Sequence, residues 1–242
     1  MITPVILVES EQITNAQRLI SDTLELVCPL DCHSPIIFCH SKFHRAIKKV
    51  VKQLNIDATI LCAPSERGSG IALTCAAQMS LLQQDKATLA IFHHWQPIAD
   101  FDAFEHSLCL GAQLTDENYL VTLDNPVNGQ FFAQPSQINS WMIDAAQLID
   151  IMKIHFPTTF DNCRKALQSE PLSAYSTTLR LASQYFNACP SLIVDNAVFP
   201  LVAQRVDIPL TTRWNTFLTD NGLSHQLYSL FNTNKRQSDQ GK

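Results

Sequence analysis

The sequence predicts an α/β fold with a mixed, mostly parallel central sheet and helices on both faces. Three observations carry this expectation. Short apolar, β-branched runs alternate with helical periods through the first two-thirds of the chain, and such alternation builds βαβ units. The runs read as buried strands bounded by turn residues. The 242 residues are 46% hydrophobic and 16% charged, enough to fill a substantial core.

Each element follows from its own stretch. Residues 3–8 form an apolar first strand, and residues 13–26 have a helical period. Residues 35–39 are a second strand. Ser41 then caps a helix whose apolar face is Phe43, Ile47, Val50, Val51 and Leu54. Its other face, Lys42, Arg45, Lys48, Lys49 and Lys52, reads as solvated. A third strand at 58–62 leads through the loop SERGSG into a helix at 71–82. Strands at 88–92 and 119–123 flank a helix at 99–110. The last third reads as helices at 143–155, 160–168 and 176–186, with a strand at 201–206. Residues 1–231 are expected to form a single domain, followed by a polar tail over 232–242.

Composition narrows the function classes. A net charge of −5 argues against a nucleic-acid binder, whose affinity needs a basic footprint. No apolar run is long enough to span a bilayer. The start, MITPVILVES, lacks a basic region before its apolar run, so a cytoplasmic location is expected. Eight cysteines sit mostly in apolar runs, as buried free thiols do. Cys28, Cys32, His33, Cys39 and His40 do not match zinc-knuckle spacing, and no metal site is expected. His44, His93, His94, Cys39 and Ser10 have no spacing that supports a nucleophilic set.

Five segments, in preserved order over roughly residues 34–220, resemble the sugar-1-phosphate nucleotidyltransferases, most closely the mannose-1-phosphate guanylyltransferases. SPIIFCHSKFHRAI is similar to that family's P-x-V-V-C-N-x-x-H-R-F, and HHWQPIADFDAF to A-A-D-H-x-I-x-D-x-x-A-F. QINSWMIDAAQLIDIMKIHFPTTFDNCRKAL resembles the stretch that begins W-N-S-G-M-F. ACPSLIVDNAVFPLV resembles C-P-x-x-S-V-D-Y-A-V-M-E-K, and RVDIPLTTRWNTF resembles V-V-P-M-D-A-G-W-S-D-V. The resemblance implies a Rossmann-like nucleotidyltransferase fold in shortened form. The left-handed β-helix that many relatives append is expected to be missing.

The same resemblance implies that the chemistry is lost. The family's phosphate loop, G-G-x-G-x-R-L-x-P, has ESEQITNAQR in its place, without a glycine and with two acids. Such a segment cannot cradle triphosphate. Trp95 falls at the metal-binding aspartate of A-A-D-H, and Thr216 at the aspartate of W-S-D-V. Tryptophan cannot ligate a hard cation, and Thr216 lacks the carboxylate. Ala133 and Gln134 replace the glutamate and lysine of F-V-E-K-P. The sugar-contacting T-G-Y-G region is reduced to DNPVNG.

Some binding positions survive. Asn139 and Asp195 match sugar-side residues, and they also read as a turn asparagine and a helix N-cap. Arg67 matches the arginine of the family's nucleotide loop, E-P-x-x-R-N-T, with a small register shift; the plain alternative is a strand-to-helix turn with Ser69 as cap. Trp95 either plugs the former metal site or offers a stacking surface to a ring. The expectation is therefore a catalytically inactive binding, regulatory or assembly protein without a cofactor. Its partner would be another protein or a second copy of the chain, and a nucleotide or sugar phosphate is the expected ligand class. The alternatives are a divergent, Mg²⁺-dependent guanylyltransferase and a nucleotide or sugar-phosphate sensor.

Overall fold

A computed structural model describes residues 1–8, 20–21, 23–27, 30, 32–92, 101–124, 140–168 and 177–209. The strands are β1 (Ile2–Val8), β2 (Ile36–His40), β3 (Thr59–Ala63), β4 (Thr88–Phe92), β5 (Leu120–Asp124), β6 (Ser140–Asp144), β7 (Thr178–Arg180) and β8 (Arg205–Pro209). Residues 20–21 and 23–27 are helical (α1). The remaining helices are α2 (His44–Gln53), α3 (Ser69–Gln83), α4 (Phe101–Asp116), α5 (Ala145–His155), α6 (Pro157–Gln168), α7 (Ser183–Phe186) and α8 (Val194–Ala197).

The eight strands form one sheet in the order β7-β3-β2-β1-β4-β6-β5-β8. β6 runs antiparallel to both its neighbours, and the other pairings are parallel. The expected α/β, Rossmann-like architecture with a mixed, mostly parallel sheet is thus the observed one.

Alternation along each strand divides the core. Val5 and Leu7 of β1 pack with α3, α5 and α6 on one face. Ile6 and Val8 pack with α1 and α2 on the other, and α4 covers β4, β5 and β6 on that same side. Every residue of β1 and β4 is buried, because helices cover both faces.

The differences from the sequence expectation lie mainly in the last third. Residues 140–144 are a strand, and Ile143 belongs to it rather than to a helix. Asp144 caps α5 by accepting from the Gln147 N–H at 2.9 Å. Pro157 starts α6 three residues earlier than expected, with a missing N–H that a first turn does not need. The helix expected at 176–186 is instead β7 followed by α7. There Thr178, Leu179, Arg180 and Leu181 alternate in burial with the period of a strand, which overrides the helical reading. The strand expected at 201–206 begins at Arg205, after a 3₁₀ turn at Phe199–Leu201 that contains Pro200. Ser41 does not cap α2: Ser41–Phe43 is a 3₁₀ turn capped by the His40 ring, whose Nδ1 accepts from the Lys42 N–H at 3.0 Å.

Candidate functional site

A cleft of about 410 Å³ opens at the C-terminal ends of β1, β2 and β3. Open α/β sheets place ligands at this edge, where helix N-termini converge. Leu7 and Val8 end β1, Phe38 and His40 end β2, and Ala63 ends β3. The walls are the loop from Ser65 to Ser69 and, facing it, Ser191, Ile193 and Asp195.

Two glycines hold these walls together. Gly68 has φ +80°, and a Cβ there would lie 2.5 Å from the Leu192 carbonyl oxygen. That backbone region belongs to glycine almost alone. At Gly70 a Cβ would meet the Leu192 side chain at 2.8 Å. The close approach lets the Gly70 N–H donate to the Leu192 oxygen at 2.8 Å, while the Leu192 N–H donates to the Arg67 oxygen at 2.9 Å. Ser69 completes the strap: its Oγ accepts from the Val194 N–H at 3.1 Å. Ser69 is therefore a cross-link between the walls, not the cap of α3; the cap position is Gly68, with no side-chain bond.

The strap brings Arg67 and Asp195 to one cleft. Arg67 is half-buried, and its Nε is buried without a hydrogen-bond partner among the described residues. Its charge reaches Cys189, whose thiol is pushed up by its contact with Cys163 and by burial, while Arg67 opposes that rise. Pro64 and Arg67 stand at the P-x-x-R spacing of the family loop without a register shift. Asp195 lies inside the first turn of the four-residue α8, so it is not the N-cap that the sequence suggested. Glu66 stands at the rim and pairs with Lys42 at 3.6 Å.

Trp95, Ala133, Gln134, Asn139 and Thr216, with the acidic segment that follows β1, lie outside the described residues. Cys28 does too. Cys39 is buried against Cys62 in the core on the α2 side, whereas His40 lines the cleft. Among the described residues, no three His, Cys, Asp or Glu side chains converge as metal ligands. Cys109 departs from the expected burial and is exposed. No helix among the described residues is long and apolar enough to cross a membrane.

Sequence reasoning found the loop but missed the floor. Leu7, Val8 and Phe38 read only as strand residues. The signal that could have found them is positional: they are the last residues of adjacent parallel strands.

No protein-family model matches the chain. The sequence is similar to the mannose-1-phosphate guanylyltransferase of Escherichia coli (strain K12), at 20% identity over 230 residues. That match covers 77% of this chain and 48% of the relative, so the chain spans about half the length of the curated relative it matches. The crystal structure of mannose-6-phosphate isomerase from Helicobacter pylori has a TM-score of 0.70 at 16% identity, covering 88% of this chain and 98% of that one. Mannose-1-phosphate geranyltransferase from Thermus thermophilus has a TM-score of 0.61 at 12% identity, covering 86% and 73%. At these identities the structures speak for the fold. The similarity to a mannose-1-phosphate guanylyltransferase rests on the sequence match.

Proposed function

We propose that the protein is a catalytically inactive, nucleotidyltransferase-like binding protein with a regulatory or assembly role in nucleotide-sugar or polysaccharide metabolism. The observation that carries this reading is the charge of the cleft. Among the described residues, its lining holds one Lys or Arg cation, Arg67, beside the carboxylates Asp195 and Glu66, and Lys42 at the rim is paired with Glu66. A triphosphate needs cations and backbone N–H groups around it. In the sequence, β1 is followed by Glu9 and Glu11, with no glycine before Arg18. By the resemblance, this segment replaces the glycine-rich loop with which a family enzyme cradles phosphate.

The donor set does not suit Mg²⁺, which takes carboxylate and phosphate oxygens. The described lining holds two carboxylates, Asp195 and Glu66, and Glu66 is paired with Lys42. Trp95, Ala133, Gln134 and Thr216 at the positions of catalytic groups agree with this reading. Each lost charge-stabilising group costs a factor of about 10² to 10³.

A second reading, a nucleotide or sugar-phosphate sensor, is favoured by the cleft and by the Arg67 Nε, which has no hydrogen-bond partner among the described residues. It shares the inactive chemistry and differs only in retaining a ligand. The test is pyrophosphate release from GTP and mannose 1-phosphate with Mg²⁺. The expected result is no release above background. Sustained turnover that Arg67→Ala abolishes would replace this reading with a divergent active enzyme.

A further inference from the structure

α2 carries a cationic surface that its own sequence does not neutralise. Arg45, Lys48, Lys49 and Lys52 are all exposed. Their spacing puts them on one side of the helix, opposite the buried Ile47, Val50 and Val51. The helix sequence HRAIKKVVKQ contains no acid. Among the described residues, no ion pair engages Arg45, Lys48, Lys49, Lys52 or Arg180. This arrangement costs stability. Like charges three and four residues apart repel, and Arg45 sits in the first turn, at the positive end of the helix dipole.

β7 extends the surface. The His44 Nε2 lies 3.2 Å from the Thr178 Oγ1, so the Thr178 side chain faces α2. Arg180, two residues along the strand, points to the same side, while Leu179 between them packs in the core on the α3 side. The His44 imidazole is held below its ordinary pKa by burial and then by the charges of Arg180, Lys48 and Arg45. Three cations thus flank one imidazole.

We propose that the face formed by α2 and β7 docks an acidic segment of a partner protein, with carboxylates pairing to Arg45, Lys48, Lys49 and Arg180. Charge complementarity selects an anionic occupant. Arg45 to Lys52 spans about 10 Å of helix, a strip suited to one helix or extended segment. Phe43 packs partly against the core and has Lys42 over its ring, whereas single-stranded nucleic acid stacks on exposed aromatic side chains. The strip begins beside Lys42, which reaches the cleft rim through Glu66, so a docked segment lies next to the cleft.

The test titrates a fluorescein-labelled poly-glutamate peptide into the full chain at physiological ionic strength. Saturable binding is expected, weakening as salt rises. Lys48→Glu/Lys49→Glu should reduce the affinity about tenfold or more. The same double variant should keep or raise Tm, because it sets acids beside Arg45 and Lys52; lost binding then cannot be lost folding. The imidazole resonance of His44 should titrate at higher pH when the peptide is bound. Absence of saturable binding, or unchanged affinity in the double variant, overturns the proposal. Single-stranded RNA of equal charge binding as tightly as the peptide overturns it in favour of nucleic acid. Salt-sensitive self-association that the double variant abolishes overturns it in favour of a second copy of the chain.

Discussion

α3 and α2 follow adjacent parallel strands, yet they are built on opposite rules. α3 is buried on most of its surface: Ile71, Leu73, Cys75, Ala76 and Ala77 are all 0% exposed. It lies between the sheet and two further helices, α5 and α6. α2 buries Ile47, Val50 and Val51 and leaves a cationic exterior. Packing dictates nearly every residue of α3, including the glycines at its start that hold the cleft walls. Packing dictates less than half of α2. Its outer charges repel one another and could be exchanged without loss to the core. Residue choices that the fold does not require are those most open to a functional explanation.

The two helices should differ most at the start of α3. Gly68→Ala forces a Cβ against the Leu192 carbonyl at a positive φ. Urea denaturation should report a loss of about 2–4 kcal/mol. A loss under about 0.5 kcal/mol would mean that the strap between the walls yields easily. Deeper in the same helix, Ala76 is fully buried. Ala76→Leu should cost about 1–3 kcal/mol through overpacking. On α2 the exposed Lys49→Ala should change stability by no more than about 0.5 kcal/mol. Equal costs at the two sites would erase the distinction.

Arg67→Ala sharpens the comparison at the cleft. Among the described residues, the guanidinium is the one basic side chain of Lys or Arg type in the lining. On the sensor reading, its removal should weaken binding of mannose 1-phosphate about tenfold, which calorimetry would read. Tm should move little, because the Arg67 backbone oxygen, not its side chain, ties the walls together.

The smallest effect concerns pH. The pKa of His44 is lowered in the fold, so the unfolded chain binds the proton more readily. Stability should therefore fall as pH drops below the ordinary imidazole value of about 6.5. His44→Gln should flatten that slope. A slope unchanged in the variant would assign it to other groups, such as His106, whose pKa burial also lowers.

Much of the fold was legible because parallel strands and their crossovers write themselves locally. β1 to β4 appear as apolar runs, each bounded by polar residues. β6 was not legible: SWMID runs directly into the periodic α5, and only the Asp144 cap separates them. β7 was hidden by its length of three residues. Of the candidate site, Arg67 and Asp195 were named from motif positions, and the cleft contains both. What sequence could not supply was the pairing of the walls. The bonds among Arg67, Gly70 and Leu192, and between Ser69 and Val194, join residues more than 120 positions apart.

On the proposed function, the cleft binds a ligand without triphosphate or metal chemistry. Equilibrium binding of GTP with and without Mg²⁺ tests this most directly, with mannose 1-phosphate titrated alongside. The account predicts that Mg²⁺ leaves GTP affinity unchanged and that GTP binds no more tightly than mannose 1-phosphate. Micromolar GTP binding that appears only with Mg²⁺ would contradict it.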